Sequence, residues 1–224
     1  MNFVTQACVL LALVIASSGK GQKPGPQSPA DSITWTISNL ERQGDHPIIL
    51  GSPQVIETPY GKAELFDGNR DGIFVNTNPL AGAKTFTVEA IFRPDLGGSS
   101  EQRWLHIQEE TGDNRILLEI RLSGTLWFLD TFIKSGDKNR TLYAENFKHA
   151  VGEWHHVALV YDGNTMRHYV DGKAELSGAL SIAPLARGKS SIGVRMNQVY
   201  WFKGAILKVR FTQRALSPQQ FMEK

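Results

Sequence analysis

Residues 152–173 read GEWHHVALVYDGNTMRHYVDGK, and this stretch decides the fold. Val157, Leu159 and Tyr161 occupy every second position of residues 157–161, and Met166, His168 and Val170 do the same in residues 166–170. This spacing is the period of a β-strand. Between them, Asp-Gly-Asn at residues 162–164 tolerates the backbone conformations of a tight reversal, and Asp-Gly at residues 171–172 supplies the next turn. The stretch therefore predicts two antiparallel strands paired as a hairpin.

This hairpin resembles the core of the laminin-G-like, concanavalin A-like lectin/glucanase jelly-roll domain family, in which Trp-His-His-Val-Ala leads through Tyr-Asp-Gly to Tyr-Val-Asp-Gly-Lys. Further segments are similar to that family in the same order: GKAELFDG at residues 61–68, FTVEAIFRP at 86–94, and FKGAI to RALS between residues 202 and 217. The resemblance spans residues 50–222. It implies an all-β fold, a jelly-roll sandwich of two antiparallel sheets. The function stays open, because this fold serves lectins, enzymes, adhesion modules and scaffolds.

Short strand patterns separated by turns that contain Gly or Asn independently favour an all-β sandwich or barrel. Residues 38–60 are expected to be irregular, because Pro47, Pro53 and Pro59 limit regular pairing. The candidate strands outside the hairpin and residues 61–68 are 33–37, 86–94, 104–108, 115–121, 125–133, 190–195 and 205–213.

The N-terminus predicts export. Residues 1–18 carry no charged side chain, and the apolar run CVLLALVIA at residues 8–16 is too short to span a bilayer comfortably. Small residues follow, so we expect a secretory signal peptide cleaved after Ser18; a retained membrane anchor is the alternative. Cleavage removes the only cysteine, Cys8, so the mature domain relies on its core rather than on disulfides. The expected location is secreted or periplasmic/cell envelope, without membrane insertion after signal cleavage.

The rest of the chain reads as one domain behind a spacer. Residues 19–32 are rich in Pro, Gly, Gln and Ser, which predicts a flexible spacer. Residues 33–224 are expected to form the laminin-G-like domain. It should end in a short C-terminal helix, because Ser217 suits a cap and Pro218 suits the first turn.

Charge excludes one class of partner. The chain has 24 Lys and Arg against 22 Asp and Glu, a formal charge of +2, and the two signs are interspersed. A nucleic-acid-binding groove would show a basic stripe, so we expect no nucleic-acid partner.

The sequence predicts no metal and no cofactor. Many relatives use an acidic residue of the closing strand to hold a calcium ion, whereas this chain has Leu207-Lys208 there. Calcium needs several oxygen ligands, which neither side chain supplies. His155 and His156 adjoin in a strand and point to opposite faces, so they are expected to satisfy hydrogen bonds beside the core.

The residues do not favour either of two enzymatic interpretations, a glycoside hydrolase and a polysaccharide lyase. A retaining glycoside hydrolase needs two carboxylates close together, and the chain has no Glu-x-Asp run in a strand, only residues 109–113 at a turn. Residues 106–108, 119–121 and 200–204 faintly resemble the three motifs of alginate lyases, but the order differs and the chain has His-x-Gln rather than Gln-x-His. We therefore expect no enzymatic activity.

The predicted function is a secreted or envelope-associated, non-catalytic binding module. Carbohydrate recognition is favoured, through exposed aromatic side chains at Trp127, Tyr200 and Trp201 and through Arg121, which could pair with acidic sugar groups, as could Arg195. For each aromatic the alternative is burial in sheet packing. A protein–protein adhesion or scaffolding module stays open, so the expected partner is a glycan or a surface protein.

Overall fold

The computed structural model describes residue 1, residues 31–43 and residues 46–224. The predicted signal peptide and spacer lie outside the described residues, apart from residue 1 and residues 31–32. The described chain forms two antiparallel β-sheets that enclose the hydrophobic core, as the sequence predicts. Within the described ranges, no helix is long and apolar enough to cross a membrane.

The strands are numbered in chain order. They are β1 (Ser32–Thr36), β2 (Ile48–Leu50), β3 (Gln54–Thr58), β4 (Gly61–Asp67), β5 (Gly72–Val75), β6 (Phe86–Pro94), β7 (Glu101–Glu109), β8 (Arg115–Ser123), β9 (Leu126–Ser135), β10 (Lys138–Tyr143), β11 (His149–Ala150), β12 (His155–Tyr161), β13 (Thr165–Val170), β14 (Lys173–Ala179), β15 (Gly188–Ile192) and β16 (Lys203–Thr212). The first sheet has the order β14-β13-β12-β6-β16-β4-β3, with β1 paired to β16. The second sheet has the order β10-β9-β8-β7-β15-β5-β2, with β11 paired to β9.

The hairpin that decides the fold forms as predicted. Strands β12 and β13 pair antiparallel, with Tyr161 opposite Met166 at the turn end. In the turn, the Asp162 carboxylate accepts hydrogen bonds from the backbone N–H groups of Asn164 and Thr165 at 3.0 and 2.9 Å. Both adjacent histidines are hydrogen-bonded as expected. His155 contacts Asp171 at 2.8 Å, and His156 contacts Glu89 at 3.0 Å.

Residues 38–60 are more regular than the sequence suggests, so that expectation is wrong. They contain β2 and β3, after a 3-10 segment at Ile37–Gln43. Each strand is the last in its sheet, and the prolines flank the strands instead of interrupting them. The C-terminal helix is also shorter than expected, a single 3-10 turn at Pro218–Gln220.

The core between the sheets is built from large aromatic side chains. Phe92 lies at its centre, with ring centroids 5.2 Å from Trp104 and 5.3 Å from Trp127. Phe202 packs on the same ring at 5.9 Å. These side chains are fully buried, which suits a domain that holds together by packing.

The outer face of the first sheet is covered by the C-terminal segment. Leu216 and Phe221 form a buried cluster with side chains of β12 and β13. Arg210 of β16 donates to the Gln220 carbonyl at 2.9 Å, and the Met222 N–H donates to the Glu89 carboxylate at 2.7 Å. This surface is therefore occupied by the chain itself, which directs attention to the second sheet.

Candidate functional site

A row of four polar side chains crosses the outer face of the second sheet. Arg103 on β7 lies opposite Glu119 on β8, Glu119 lies opposite Asp130 on β9, and Asp130 lies opposite Tyr143 on β10. Neighbouring residues such as Leu118 on β8 point into the core, because successive side chains of a strand alternate between faces. Alternation and register together thus place charges from three strands side by side.

Ion pairs lock this row. Arg103 Nε lies 2.7 Å from Glu119 Oε1, and Arg103 Nη1 lies 2.9 Å from Glu101 Oε2. Arg121 Nε lies 2.8 Å from Asp130 Oδ2, and Arg121 also pairs with Glu101. Both guanidinium groups are therefore fixed in position by carboxylates on the same face.

The two inner carboxylates are deeply buried. Glu119 is 3% exposed and Asp130 is 1% exposed. Burial, together with the neighbouring Asp130 charge, raises the pKa of Glu119, and the Arg103 and Arg121 guanidinium groups act against that rise. Asp130 Oδ1 has no hydrogen-bond partner among the residues that the structure describes. An unpaired buried acceptor is costly, so this oxygen lowers the stability of the fold.

Aromatic rings frame the charged row. The Arg103 guanidinium lies 3.8 Å from the centroid of the Tyr200 ring. Arg121 lies 5.9 Å from the centroid of the Tyr143 ring, which stacks on Phe128 at 6.2 Å. Tyr143 is 60% exposed, so its ring is available to a ligand.

The segment after β15 holds Tyr200 over the sheet. Gly193 has φ +77°, and Gln198 and Tyr200 have φ values of 58° and 60°, which side-chain-bearing residues adopt infrequently. The Gln198 N–H donates to the Arg195 carbonyl at 2.8 Å, and the Arg103 N–H donates to the Tyr200 carbonyl at 2.8 Å. These bonds tie the segment to itself and to β7, beside the charged row.

Two adjoining cavities lie on this face, of about 210 and 480 Å³, and both are lined by Arg115 and Arg195. The smaller is also lined by Arg103, Leu117, Glu119, Arg121, Asp130, Phe132 and Thr141. The larger is also lined by His106, Gln108, Asp113, Met196 and Asn197. Shared walls make them one groove that runs along β7, β8 and β9 to the segment after β15.

His106 is held as a neutral ring with a defined proton position. Its Nδ1 accepts a hydrogen bond from the Met196 N–H at 3.0 Å, so the proton of the neutral ring lies on Nε2. Burial lowers the pKa of His106 to about 3, and the positive charges of Arg195, Arg115 and Arg103 act in the same direction. His106 therefore carries a buried Nε2–H donor, and the residue lines the larger cavity.

The structure brings together only part of the predicted ligand-binding set. Arg121 and Tyr200 lie on the outer face of the second sheet, joined through Arg103. Trp201 is half-buried and packs over β5, with its Cζ3 atom 3.4 Å from where a Cβ on Gly72 would stand. Trp201 lines neither cavity of the groove, and Tyr143 and Tyr200 lie beside the cavities without lining them.

The structure corrects the expectation for Trp127. Its side chain is 0% exposed, and its Nε1 donates to the Ala150 carbonyl at 3.2 Å. The expectation that Trp127 presents a surface for stacking on a sugar is wrong, because its alternation with Phe128 turns it into the core. Phe128 and the residues of β9 at every second position from it face outward instead.

Sequence reasoning missed Glu101, Arg103, Glu119 and Asp130. A signal was present, because Glu-x-Arg occurs at residues 101–103 and again at 119–121, which places both charges of each run on one face. What the sequence did not reveal is the register that sets the two runs against each other and against Asp130.

The structure also changes the argument about paired carboxylates. Glu119 and Asp130 lie opposite each other across two strands, a pairing that a search for Glu-x-Asp within one strand misses. Each carboxylate is engaged by an arginine and almost fully buried. Both carboxylates line the smaller cavity, and each holds an arginine in position.

The side chain at position 207 of the closing strand lies in apolar surroundings. Leu207 is buried in an apolar cluster with Ala63, Ile91 and Ala205. Over residues 31–43 and 46–224, no three His, Cys, Asp or Glu side chains are grouped so that they could hold a metal ion.

Comparisons with solved structures find the same fold at low sequence identity. Domain 4 of AbnA, a GH43 extracellular arabinanase from Geobacillus stearothermophilus solved in complex with arabinotriose, is 19% identical with a TM-score of 0.58, covering 78% of this chain and 85% of that chain. The CBM40 of Ruminococcus gnavus IT-sialidase, bound to alpha2,3 sialyllactose, is 15% identical with a TM-score of 0.55, covering 76% and 95%. The binding domain of Paraclostridial Mosquitocidal Protein 1 is 14% identical with a TM-score of 0.60, covering 79% of this chain and 46% of that chain.

Sequence comparison gives the family. No curated protein sequence matches the chain. A laminin-G family model, described as the concanavalin A-like lectin/glucanases superfamily, matches residues 67–221, which include the hairpin, the groove and the closing strand. The chain therefore belongs to the concanavalin A-like lectin/glucanases superfamily.

Proposed function

We propose that this protein is a non-catalytic binding module that recognises carbohydrate through the outer face of its second sheet. The observation that carries the proposal is the groove, in which fixed arginine and carboxylate groups lie beside exposed tyrosine rings. The solved relatives with bound arabinotriose and sialyllactose support a sugar ligand, since they share the fold.

The chemistry of the groove suits a sugar. A sugar ring presents several hydroxyl groups, which bind well to donors and acceptors that are already held in place. Arg103 and Arg121 are held by ion pairs, so little side-chain entropy is lost when a ligand binds them. Tyr143 and Tyr200 supply rings with an apolar face and a polar edge, which is the combination that sugar stacking uses.

Export is part of the proposal. The apolar run at residues 8–16 is typical of a secretory signal peptide, and the Pro- and Gly-rich residues 19–32 would let the domain stand off a surface. We infer that the protein is secreted or lies in the cell envelope, where polysaccharides are accessible. Amino-terminal sequencing of the exported protein, with a first residue at 19, would support this inference.

The test is a glycan array probed with the purified protein and two tyrosine variants. Tyr143→Ala removes a ring at the groove, whereas Tyr60→Ala removes a ring of similar exposure beside Trp154, on the first-sheet side. We expect a reproducible glycan signal that falls at least about tenfold in Tyr143→Ala, as loss of a stacking contact predicts, and that Tyr60→Ala retains.

Equal binding by both variants would move the site away from this groove. A blank array would contradict the glycan proposal and favour a protein partner, to be sought by crosslinking in the native envelope.

Cleavage of a polysaccharide is the second candidate, and one observation favours it. His106, Arg195 and Tyr200 lie on the same face, and a lyase needs a base beside groups that neutralise a sugar carboxylate. In a lyase a base removes the proton next to that carboxylate, the glycosidic oxygen leaves and takes up a proton to become a hydroxyl, and a carbon–carbon double bond remains. Incubation with uronate polymers would then produce unsaturated, ultraviolet-absorbing ends; their absence over long incubation contradicts this candidate.

A further inference from the structure

We propose that Arg195, Arg115 and His106 form an oxyanion subsite that binds the carboxylate or sulfate group of an acidic sugar. The inference rests on the proposed function, because it names the class of glycan that the same groove would take. Three groups support the inference. Within the part of the chain that the structure describes, they are the unpaired guanidinium of Arg195, the guanidinium of Arg115 with an unpaired Nε donor, and the buried imidazole donor of His106.

His106 supplies the most specific observation. The ring is 1% exposed, yet its Nε2 has no hydrogen-bond partner within the described part of the chain. The Met196 N–H bond to Nδ1 directs the ring proton to Nε2, and His106 lines the larger cavity. A buried N–H donor without an acceptor costs stability, so its retention at a cavity wall is explained by a ligand acceptor.

Arg195 is the uncommitted charge. Its backbone is fixed by the bond between its N–H and the Val199 carbonyl at 3.2 Å. Its side chain makes no hydrogen bond or ion pair with residues 31–43 or 46–224, in contrast to Arg103 and Arg121. Arg195 lines both cavities, so its guanidinium stands at the junction of the groove.

Arg115 completes the subsite. Its Nη1 donates to the Asp113 carbonyl at 2.7 Å, and its guanidinium lies 5.1 Å from the centroid of the Phe132 ring. The Nε atom is buried and has no partner in the described chain. Arg115 Nη1 also pairs with the Asp113 carboxylate at 3.4 Å, but Asp113 is exposed and is shared with Lys134, so it compensates Arg115 only in part.

The balance of charge points to an anion. The smaller cavity is lined by four arginines and two carboxylates, and those two carboxylates are already engaged by Arg103 and Arg121. A neutral hydroxyl would leave Arg195 without an ion-pair partner among the described residues and Arg115 paired only with the exposed Asp113. Guanidinium groups match the planar pair of oxygens of a carboxylate and also bind the oxygens of a sulfate, and a neutral N–H donor adds a third contact.

The experiment measures binding of matched polymers by titration calorimetry. The carboxylate pair is polygalacturonate and its carboxyl-reduced neutral form, and the sulfate pair is dextran sulfate and dextran. Each polymer is titrated into the unaltered protein, into the Arg195→Gln variant and into the Arg167→Gln variant. Arg167 lies on β13 in the first sheet, so its variant loses the same charge away from the groove.

We expect the protein to bind at least one charged polymer at least tenfold more tightly than its neutral partner. Arg195→Gln should lose that preference while keeping its melting temperature and any neutral binding, and Arg167→Gln should keep it. The polymer pair that shows the effect tells carboxylate from sulfate.

Three results would overturn the inference. The first is equal binding of charged and neutral polymers, which leaves glycan binding standing and removes the oxyanion subsite. The second is an equal loss in Arg195→Gln and Arg167→Gln, which indicates attraction by net charge alone. The third is binding to no glycan at all, here or on the array, which removes the proposed function as well.

Discussion

At the scale of the residue, parity along a strand decides what each aromatic side chain does. Trp127 packs between Phe92 and the rings of His149 and His155, inside the sandwich. Phe128, the next residue, faces outward and stacks on Tyr143. The sequence shows the alternation of side chains on β9 but not which face of the strand is buried. For this reason the sequence alone could not place Trp127 in the core.

Trp127→Ala should therefore act on stability. We expect the free energy of unfolding to fall by about 3–5 kcal/mol, because a fully buried ring leaves a cavity that its neighbours fill only in part. Urea unfolding measures this, with exposed Tyr143→Ala as the control expected to change stability by less than about 1 kcal/mol. Normal stability of Trp127→Ala would contradict the assignment to the core.

Glu64 gives a pH-dependent prediction. Burial, and then the nearby Asp71 charge, raise the pKa of Glu64 from 4.5 to about 7. Between those values the folded chain keeps a proton that the unfolded chain releases, so this group lowers stability as the pH rises from 4.5 to 7. Glu64→Gln removes the effect. The variant should be more stable than the parent by about 3 kcal/mol at pH 8 and equal to it near pH 4.

Thermal or urea unfolding of both proteins at pH 4, 6 and 8 measures the difference. Asp95→Asn, at a half-buried carboxylate that pairs with Arg93, serves as the control. A difference for Glu64→Gln that is the same at every pH would contradict the raised pKa.

At the scale of the element, the segment from Gly193 to Tyr200 positions Arg195 and Tyr200 over β7. Gly193 has φ +77°, and a Cβ there would stand 2.4 Å from Phe66 Cδ1, a ring of the core. The glycine is thus required by both backbone conformation and space. Gly112 has φ +91° with nothing within 4 Å of a Cβ, so it shares the first requirement alone.

The two glycines form a matched pair of variants. Gly112→Ala should cost about 1 kcal/mol, from the strained backbone alone. Gly193→Ala should cost at least about 2 kcal/mol more, because Phe66 or the segment must move, and glycan affinity should fall with it. Urea unfolding and titration of the array ligand read the two effects. Equal costs for both variants would contradict the close packing of Gly193 on Phe66.

The same scale shows how far the sequence predicts the fold. Strand β6 and the β12–β13 hairpin follow from alternation and turn residues, which are local signals. Strands β2 and β3 were not predicted because they are short edge strands flanked by prolines. Strand β2 pairs with β5, which does not follow it directly in the chain, whereas β3 forms a hairpin with β4. The groove was not predicted either, because it depends on the register across β7, β8 and β9, which brings Arg103, Glu119 and Asp130 together.

At the scale of the whole molecule, the two sheets differ in what covers them. The C-terminal segment packs Leu216 and Phe221 on the outer face of the first sheet and supplies hydrogen bonds to Arg210 and Glu89. The second sheet instead carries the groove with its arginines and exposed tyrosine rings. This asymmetry is the reason for placing recognition on the second sheet.

Hydrogen–deuterium exchange of the purified protein, with and without the glycan that binds best on the array, tests this claim most directly. We expect slower exchange on binding in β7, β8 and β9 and in residues 193–200, with β12, β13 and the C-terminal segment unchanged. Slower exchange confined to β12, β13 or the C-terminal segment would contradict it, because the ligand would then occupy the first sheet.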